Sequence, residues 1–400
     1  MTHDAPAVPS ASRTAQDYPV SAIRTVSERA AVIDGVAILT LGEPDFDTPP
    51  HVIEAAIESM RAGETRYTPN AGIPELREAI AQVYTQRWGR EVGPENVVVT
   101  VGGQEGMFLA LRTAVDAGDD VLVTDPAYAN YKGQIHLMGA NPVDVPLTED
   151  NGFIVTAAQV EAALTPRTRA LMLNSPANPL GAVVPEEELV AIAELARKHD
   201  FIVISDEVYE HIVHDGVRHV SIAQAVPDFQ HVLMVGSLSK SYAMTSWRVG
   251  YIIGPEHLLA TTIAMKEGVT SCSPAFVQKA AVAALTGPQD ALETMIATYS
   301  ARRDLIVDGL SAIPGVTCTG ADGAFYVFAD ISASRLTSDD FVERLLVDHR
   351  VAVIPGTAFG AYGEGYVRVS YAADEATIRR GIDGIAALMA SVRDGVAVHG

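Results

Sequence analysis

Short apolar runs at residues 97–101, 121–124, 170–173, 201–205, 232–235 and 249–253, separated by longer amphipathic stretches, constrain this chain more than any other feature. Runs of that length with no polar face read as strands buried on both sides, the signature of a parallel sheet flanked by helices. Residues 185–198 are one of the connecting helices. Polar residues gather just beyond the strand ends, at Asp125, 174–178, 206–209 and 237–240. Open α/β sheets bind ligands at the carboxyl ends of their strands, so these clusters describe one wall of one pocket.

The texture changes after about residue 290, to a long amphipathic helix through 310, hairpin-like segments around 323–328, and more helix. The expected organisation is a leader at 1–17 without a folded element, a large domain at 46–290, and a smaller α+β domain made of 18–45 and 291–400. The site then lies in the cleft between the two domains.

A chain of 400 residues, 48% hydrophobic, can bury a large core and is longer than one compact domain usually needs. Its 50 acids against 28 bases give a net charge of −22, which disfavours nucleic acid and anionic membranes at long range. A single pocket can still reverse that sign with arginine, hydroxyls and helix amides. Cys272 and Cys318 form neither a paired redox motif nor a metal-ligand set, so two buried thiols in a reducing compartment are expected. No apolar run approaches the roughly 18 residues of a membrane helix, and a cytoplasmic protein is expected.

Lysine is scarce, occurring only at 132, 198, 240, 266 and 279. Lys198 ends a helix, and Lys132, Lys266 and Lys279 sit in helical stretches where an exposed ammonium is the default. Lys240 instead follows the apolar strand 232–235 in a turn of small hydroxyl residues, with Ser237 and Ser239 before it and Ser241 after. A lysine at a buried strand end loses solvation, and its lowered pKa supplies the neutral amine that imine chemistry needs. Taken alone, such a lysine is more often a surface or phosphate-binding residue. Its neighbours favour the imine: Ser237 and Arg248 can serve a phosphate from the same segment, and Gly102, Gly103 and Gln104 open a helix whose amides face the same anion. A simple tight turn is the alternative for the two glycines.

Ser237-Leu238-Ser239-Lys240 with Arg248 resembles the lysine signature of the class I/II aminotransferases, the fold-type I pyridoxal-phosphate enzymes. The resemblance extends in chain order through Leu41-Gly42-Glu43-Pro44-Asp45-Phe46-Asp47-Thr48-Pro49, Tyr67-Thr68-Pro69-Asn70-Ala71-Gly72, Asn174-Ser175-Pro176-Ala177-Asn178-Pro179, Ser205-Asp206-Glu207-Val208-Tyr209 and Val367-Arg368-Val369-Ser370. Each motif alone is weak; the ordered set is specific. It departs at Leu180, where the family most often has threonine.

The resemblance implies an α/β fold with a mostly parallel seven-stranded sheet flanked by helices, and pyridoxal 5'-phosphate held as a Schiff base on Lys240. It implies that Asp206 holds the proton of the pyridine nitrogen; a helix N-cap is the plainer role for such an aspartate. Asn178 and Tyr209 would hydrogen-bond the phenolic oxygen, and Tyr128 would lie against the ring, with a core tyrosine as the alternative. Gly102, Gly103, Gln104, Ser237, Ser239 and Arg248 would hold the phosphate. Arg368 would grip the substrate's α-carboxylate, completed by Asn178 and the backbone at Gly42; its flanking valines suggest a half-buried strand. Tyr67 would reach the phosphate of a neighbouring subunit, implying a homodimer. Arg24 is a second anion-binding candidate, or an exposed helical arginine.

The implied activity is transfer of an amino group from an L-amino acid to a 2-oxo acid. A β-lyase or synthase on the same scaffold is the alternative. A metabolite-sensing regulator would carry a basic helix-turn-helix ahead of this domain, and the forty or so residues before the first motif are expected to be too few and too poor in bases for one.

Overall fold

The computed structural model describes residues 10–397. In chain order its strands are β1 (Ala37–Ile38), β2 (Val97–Thr100), β3 (Asp120–Asp125), β4 (Asn141–Pro146), β5 (Thr168–Asn174), β6 (Ile202–Asp206), β7 (Val232–Ser237), β8 (Gly250–Ile253), β9 (Thr317–Thr319), β10 (Tyr326–Asp330), β11 (Val351–Ala352), β12 (Ile354–Pro355) and β13 (Tyr366–Ser370).

The seven strands β2 to β8 form one sheet in the order β2-β8-β7-β6-β5-β3-β4, parallel from β7 through β4, with β8 antiparallel to both β7 and β2. The apolar runs supply every strand but β4, and β2, β3, β7 and β8 are buried at every residue. β4, at one edge of the sheet, is absent from the apolar rhythm because it is exposed there, and its sequence Asn-Pro-Val-Asp-Val-Pro buries fully only Val145.

Helices cover both faces. Glu186–His199 matches the helix expected at 185–198; it buries Leu189, Ile192 and Ala196 at helical spacing. It carries Glu186, Glu187 and Glu188 in its first turn and Arg197, Lys198 and His199 in its last, each sign at the dipole end that favours it.

Beyond this layer lies a four-stranded antiparallel sheet, β12-β13-β10-β9, and a parallel pair in which β1 joins β11. Asp290–Ser311 is the long helix expected from about 290, and Glu375–Ala397 packs along it. Of the leader, residues 1–9 lie outside the described residues; Arg13–Gln16 makes one exposed helical turn capped by Ser12, where composition suggested no folded element. No helix among the described residues is long and apolar enough to cross a membrane.

Candidate active site

The strand ends converge on a cavity of about 330 Å³. At its floor β2 turns into the helix Gly102–Ala114 through Gly102, whose φ of +73° suits glycine, and a Cβ there would lie 2.3 Å from a guanidinium nitrogen of Arg248. Arg248 is thus pressed onto the amino end of that helix, where free amides and the dipole favour an anion. It forms no ion pair among the described residues; one nitrogen donates to the Thr245 carbonyl at 2.9 Å. From the end of β7, Ser237 caps the short helix Leu238–Ser241, accepting from the Ser239 amide at 3.1 Å. Gly103, Gln104, Ser237, Ser239 and Arg248 all line the same floor. Guanidinium, hydroxyls and helix amides together make an anion cradle.

Lys240 rises from that short helix, and its Nζ donates to the Gly42 carbonyl. Burial lowers its pKa to about 8, with Arg248 adding to the effect and Glu43 opposing it. Asp206 ends β6. Its Oδ2 accepts from the Tyr131 hydroxyl at 2.6 Å, and burial raises its pKa to about 6 against the lowering effect of that bond. No helix starts at Asp206, so it is not the N-cap considered as its plainer role. Tyr209 is buried in the same wall, and Tyr128 is half-buried in it, packed against a core layer.

The opposite wall belongs to the second sheet. Arg368, at the middle of β13, is only 1% exposed, well beyond the half-buried strand expected. Its terminal nitrogens donate to Asn178 Oδ1 at 3.1 Å and to the Thr40 carbonyl at 2.6 Å, and its Nε has no partner. Tyr326 and Phe359 flank it at 4.5 and 5.0 Å. A buried cation whose hydrogen-bond partners are neutral costs several kcal/mol of desolvation, which a carboxylate entering the cavity would offset.

Twelve of the residues singled out from the sequence therefore share this cavity: Gly42, Gly103, Gln104, Tyr128, Asn178, Asp206, Tyr209, Ser237, Ser239, Lys240, Arg248 and Arg368, with Gly102 beneath. Tyr67 does not, being 93% exposed. Arg24 stands at the mouth, exposed and paired to Glu28 at 2.8 Å. Leu180 is buried outside the cavity. Tyr131 and Tyr326 were not legible as site residues. Tyr131 could have been found from its place in the first turn of the helix Asn130–Leu137, just after Tyr128, whereas nothing around Tyr326 marks it.

Two expectations are corrected. Lys266 is fully buried, not exposed, because its ammonium turns inward to Thr270, Ser271 and Glu105. Cys272 and Cys318 are free but only partly buried, Cys272 in the loop between the helices Glu256–Val269 and Ala275–Thr286 and Cys318 on the edge strand β9.

A lysine whose burial lowers its pKa to about 8, between a floor of guanidinium, hydroxyls and helix amides and a buried arginine without an acid partner among the described residues, lies at the strand ends of an α/β sheet. The chain belongs to the aminotransferases of class I and II, whose family model matches residues 34–385. It is 39% identical over 354 residues to the aspartate aminotransferase of Pyrococcus horikoshii, covering 88% of this chain and 90% of that one. It is 40% identical over 385 residues to the aspartate/prephenate aminotransferase of Thermus thermophilus, covering 94% and 98%. The solved aspartate aminotransferase of Rhizobium meliloti superposes with a TM-score of 0.92 at 37% identity, over 96% of this chain and 99% of that one. The Thermus thermophilus enzyme with maleate superposes at 0.90 and 39% identity, over 95% and 100%.

Proposed function

We propose that this aminotransferase holds pyridoxal 5'-phosphate covalently through Lys240 and passes the amino group of an L-amino acid to a 2-oxo acid, with aspartate the first donor to test because relatives carry that name. The cofactor fits the residues present: Arg248 and the helix amides await a dianion, Asp206 is a buried acid, and Lys240 is an amine poised near neutrality. When bound, it supplies the electron sink that acidifies the substrate's α-carbon.

Gly102, Gly103, Gln104, Ser237, Ser239 and Arg248 would hold the phosphate. Asp206 would keep a proton on the ring nitrogen, Tyr209 and Asn178 would donate to the phenolic oxygen, and Tyr128 would lie against the ring. Arg368 takes the α-carboxylate in a forked ion pair; Asn178, which already accepts from Arg368, and the backbone at Gly42 complete the clamp. Lys240 Nζ would be the base for the substrate's α-proton. Tyr67 extends to the phosphate site of a second copy, making a homodimer. This division of labour assigns 46–290 to the cofactor domain and 18–45 with 291–400 to the smaller one, in a cytoplasmic protein.

The observation that carries this reading is that Lys240 shares one cavity with Arg368, a buried cation that has no acid partner among the described residues. Lys240→Ala should keep the circular-dichroism spectrum, lose the visible absorbance of the loaded protein, and transfer no amino group between aspartate and 2-oxoglutarate. Undiminished transfer by that variant ends the reading, and product formed without consumption of 2-oxo acid would mean a lyase.

A further inference from the structure

Tyr326 is fully buried at the start of β10, on the second sheet, yet its hydroxyl reaches across the cleft to the hydroxyl of Tyr209 at 2.8 Å. Its ring lies under the Arg368 guanidinium, and a Cβ at Gly42 would come within 2.9 Å of its oxygen. Tyr326 thus touches the wall that carries Tyr209, the carboxylate clamp, and the residue whose carbonyl receives Lys240.

We propose that Tyr326 is a positioning residue of the transfer reaction: its hydroxyl donates to the Tyr209 oxygen and so commits Tyr209's own proton to the cofactor's phenolic oxygen. The proposal rests on the reading of Tyr209 given above. A phenol has one proton to give. In the isolated pair either hydroxyl can be the donor, but once Tyr209 turns its proton inward its oxygen can only accept, and Tyr326 is its one hydrogen-bond partner among the described residues. Chained hydrogen bonds polarise one another in a low-dielectric site, so a Tyr209 that accepts from Tyr326 is a stronger donor than one left buried and unpaired. A stronger donor stabilises negative charge on the phenolic oxygen and lowers the pKa of the Lys240 nitrogen bonded to the cofactor. The charged and titratable groups facing the pair are Arg368, Tyr128, Tyr131, Tyr299 and Tyr371, with Asp206, Lys240 and Arg248 on the same cavity wall. None of these is a second hydrogen-bond partner for either hydroxyl.

The test is a pH titration of the visible absorbance in the loaded wild type, Tyr209→Phe, Tyr326→Phe and the double variant. Tyr209→Phe should raise the spectral pKa by about one unit or more, and Tyr326→Phe by about half a unit, roughly threefold in the protonation constant. If Tyr326 acts through Tyr209, adding Tyr326→Phe to Tyr209→Phe should produce no further shift. A shift in Tyr209→Phe but none in Tyr326→Phe overturns the proposal and leaves the reading of Tyr209 standing. Additive shifts also overturn it, since a merely structural effect of the second ring would persist without Tyr209. No shift in either single variant removes the role of Tyr209 itself.

Discussion

The Tyr131 hydroxyl donates to Asp206 at 2.6 Å, and still the buried carboxyl keeps its proton up to about pH 6. The folded chain therefore binds more protons at this site than the unfolded chain between the ordinary aspartate pKa of about 3.9 and about 6. Stability from this group is present below that window, falls as pH rises through it, and is lost above it. In cofactor-free protein Asp206→Asn, which can still accept from Tyr131, should stabilise the fold at pH 7.5 by on the order of 1–3 kcal/mol and leave it unchanged near pH 4. Thermal melts at the two pH values check this. The same substitution should abolish transfer in the loaded enzyme, because no acid then remains behind the ring.

Arg368 should show the converse division between stability and activity. Its partners Asn178 and Thr40 are neutral, so Arg368→Met removes a buried charge without stranding an opposite one. Urea unfolding should show no loss of stability. The specificity constant should fall by the equivalent of about 2–5 kcal/mol, chiefly through KM, because the substrate carboxylate then enters a dry pocket unpaired. Arg368→Lys should recover only part of the loss, a point charge being unable to reproduce the fork.

Gly102→Ala tests the anion cradle. Its φ of +73° and the 2.3 Å approach of Arg248 mean that a methyl group must strain the backbone or displace the guanidinium. Left-handed backbone at a non-glycine residue costs on the order of 1–3 kcal/mol. Equilibrium loading should therefore weaken by roughly tenfold to a hundredfold, while Gly89→Ala, with the same sign of φ but open space around it and no place in the cavity, should not affect loading.

The large sheet was legible in the sequence because strands buried on both faces are mostly apolar, so the run itself is the signal. The edge strand β4 carries no such signal, and the reversal of β8 depends on a long-range pairing that no local pattern encodes. Lys240, Asp206 and Arg368 were visible because each stands beside a strand end or among valines. Tyr326 was not, since an aromatic residue in an apolar strand reads as core until the opposite wall supplies Tyr209. Lys266 shows the opposite failure: helical spacing suggests an exposed residue, and only the fold reveals Glu105 facing it.

That buried pair supports the last prediction. Lys266 Nζ lies 3.8 Å from Glu105 Oε2 and donates to Thr270 Oγ1 and the Ser271 carbonyl, both at 3.1 Å. Glu105 in turn accepts from the Val101 amide, at the residue that precedes Gly102, and from the Thr270 hydroxyl. Lys266→Met strands the Glu105 carboxylate in the interior, which should cost about 3–5 kcal/mol in urea unfolding. Adding Glu105→Gln, which keeps an acceptor for the Val101 amide, should restore most of that stability, because the unpaired charge and not the missing contact is what destabilises. Because Glu105 sits in the first turn of the helix that forms the cradle, Lys266→Met should also weaken cofactor loading. A single variant as stable as the wild type would mean that the pair contributes only packing.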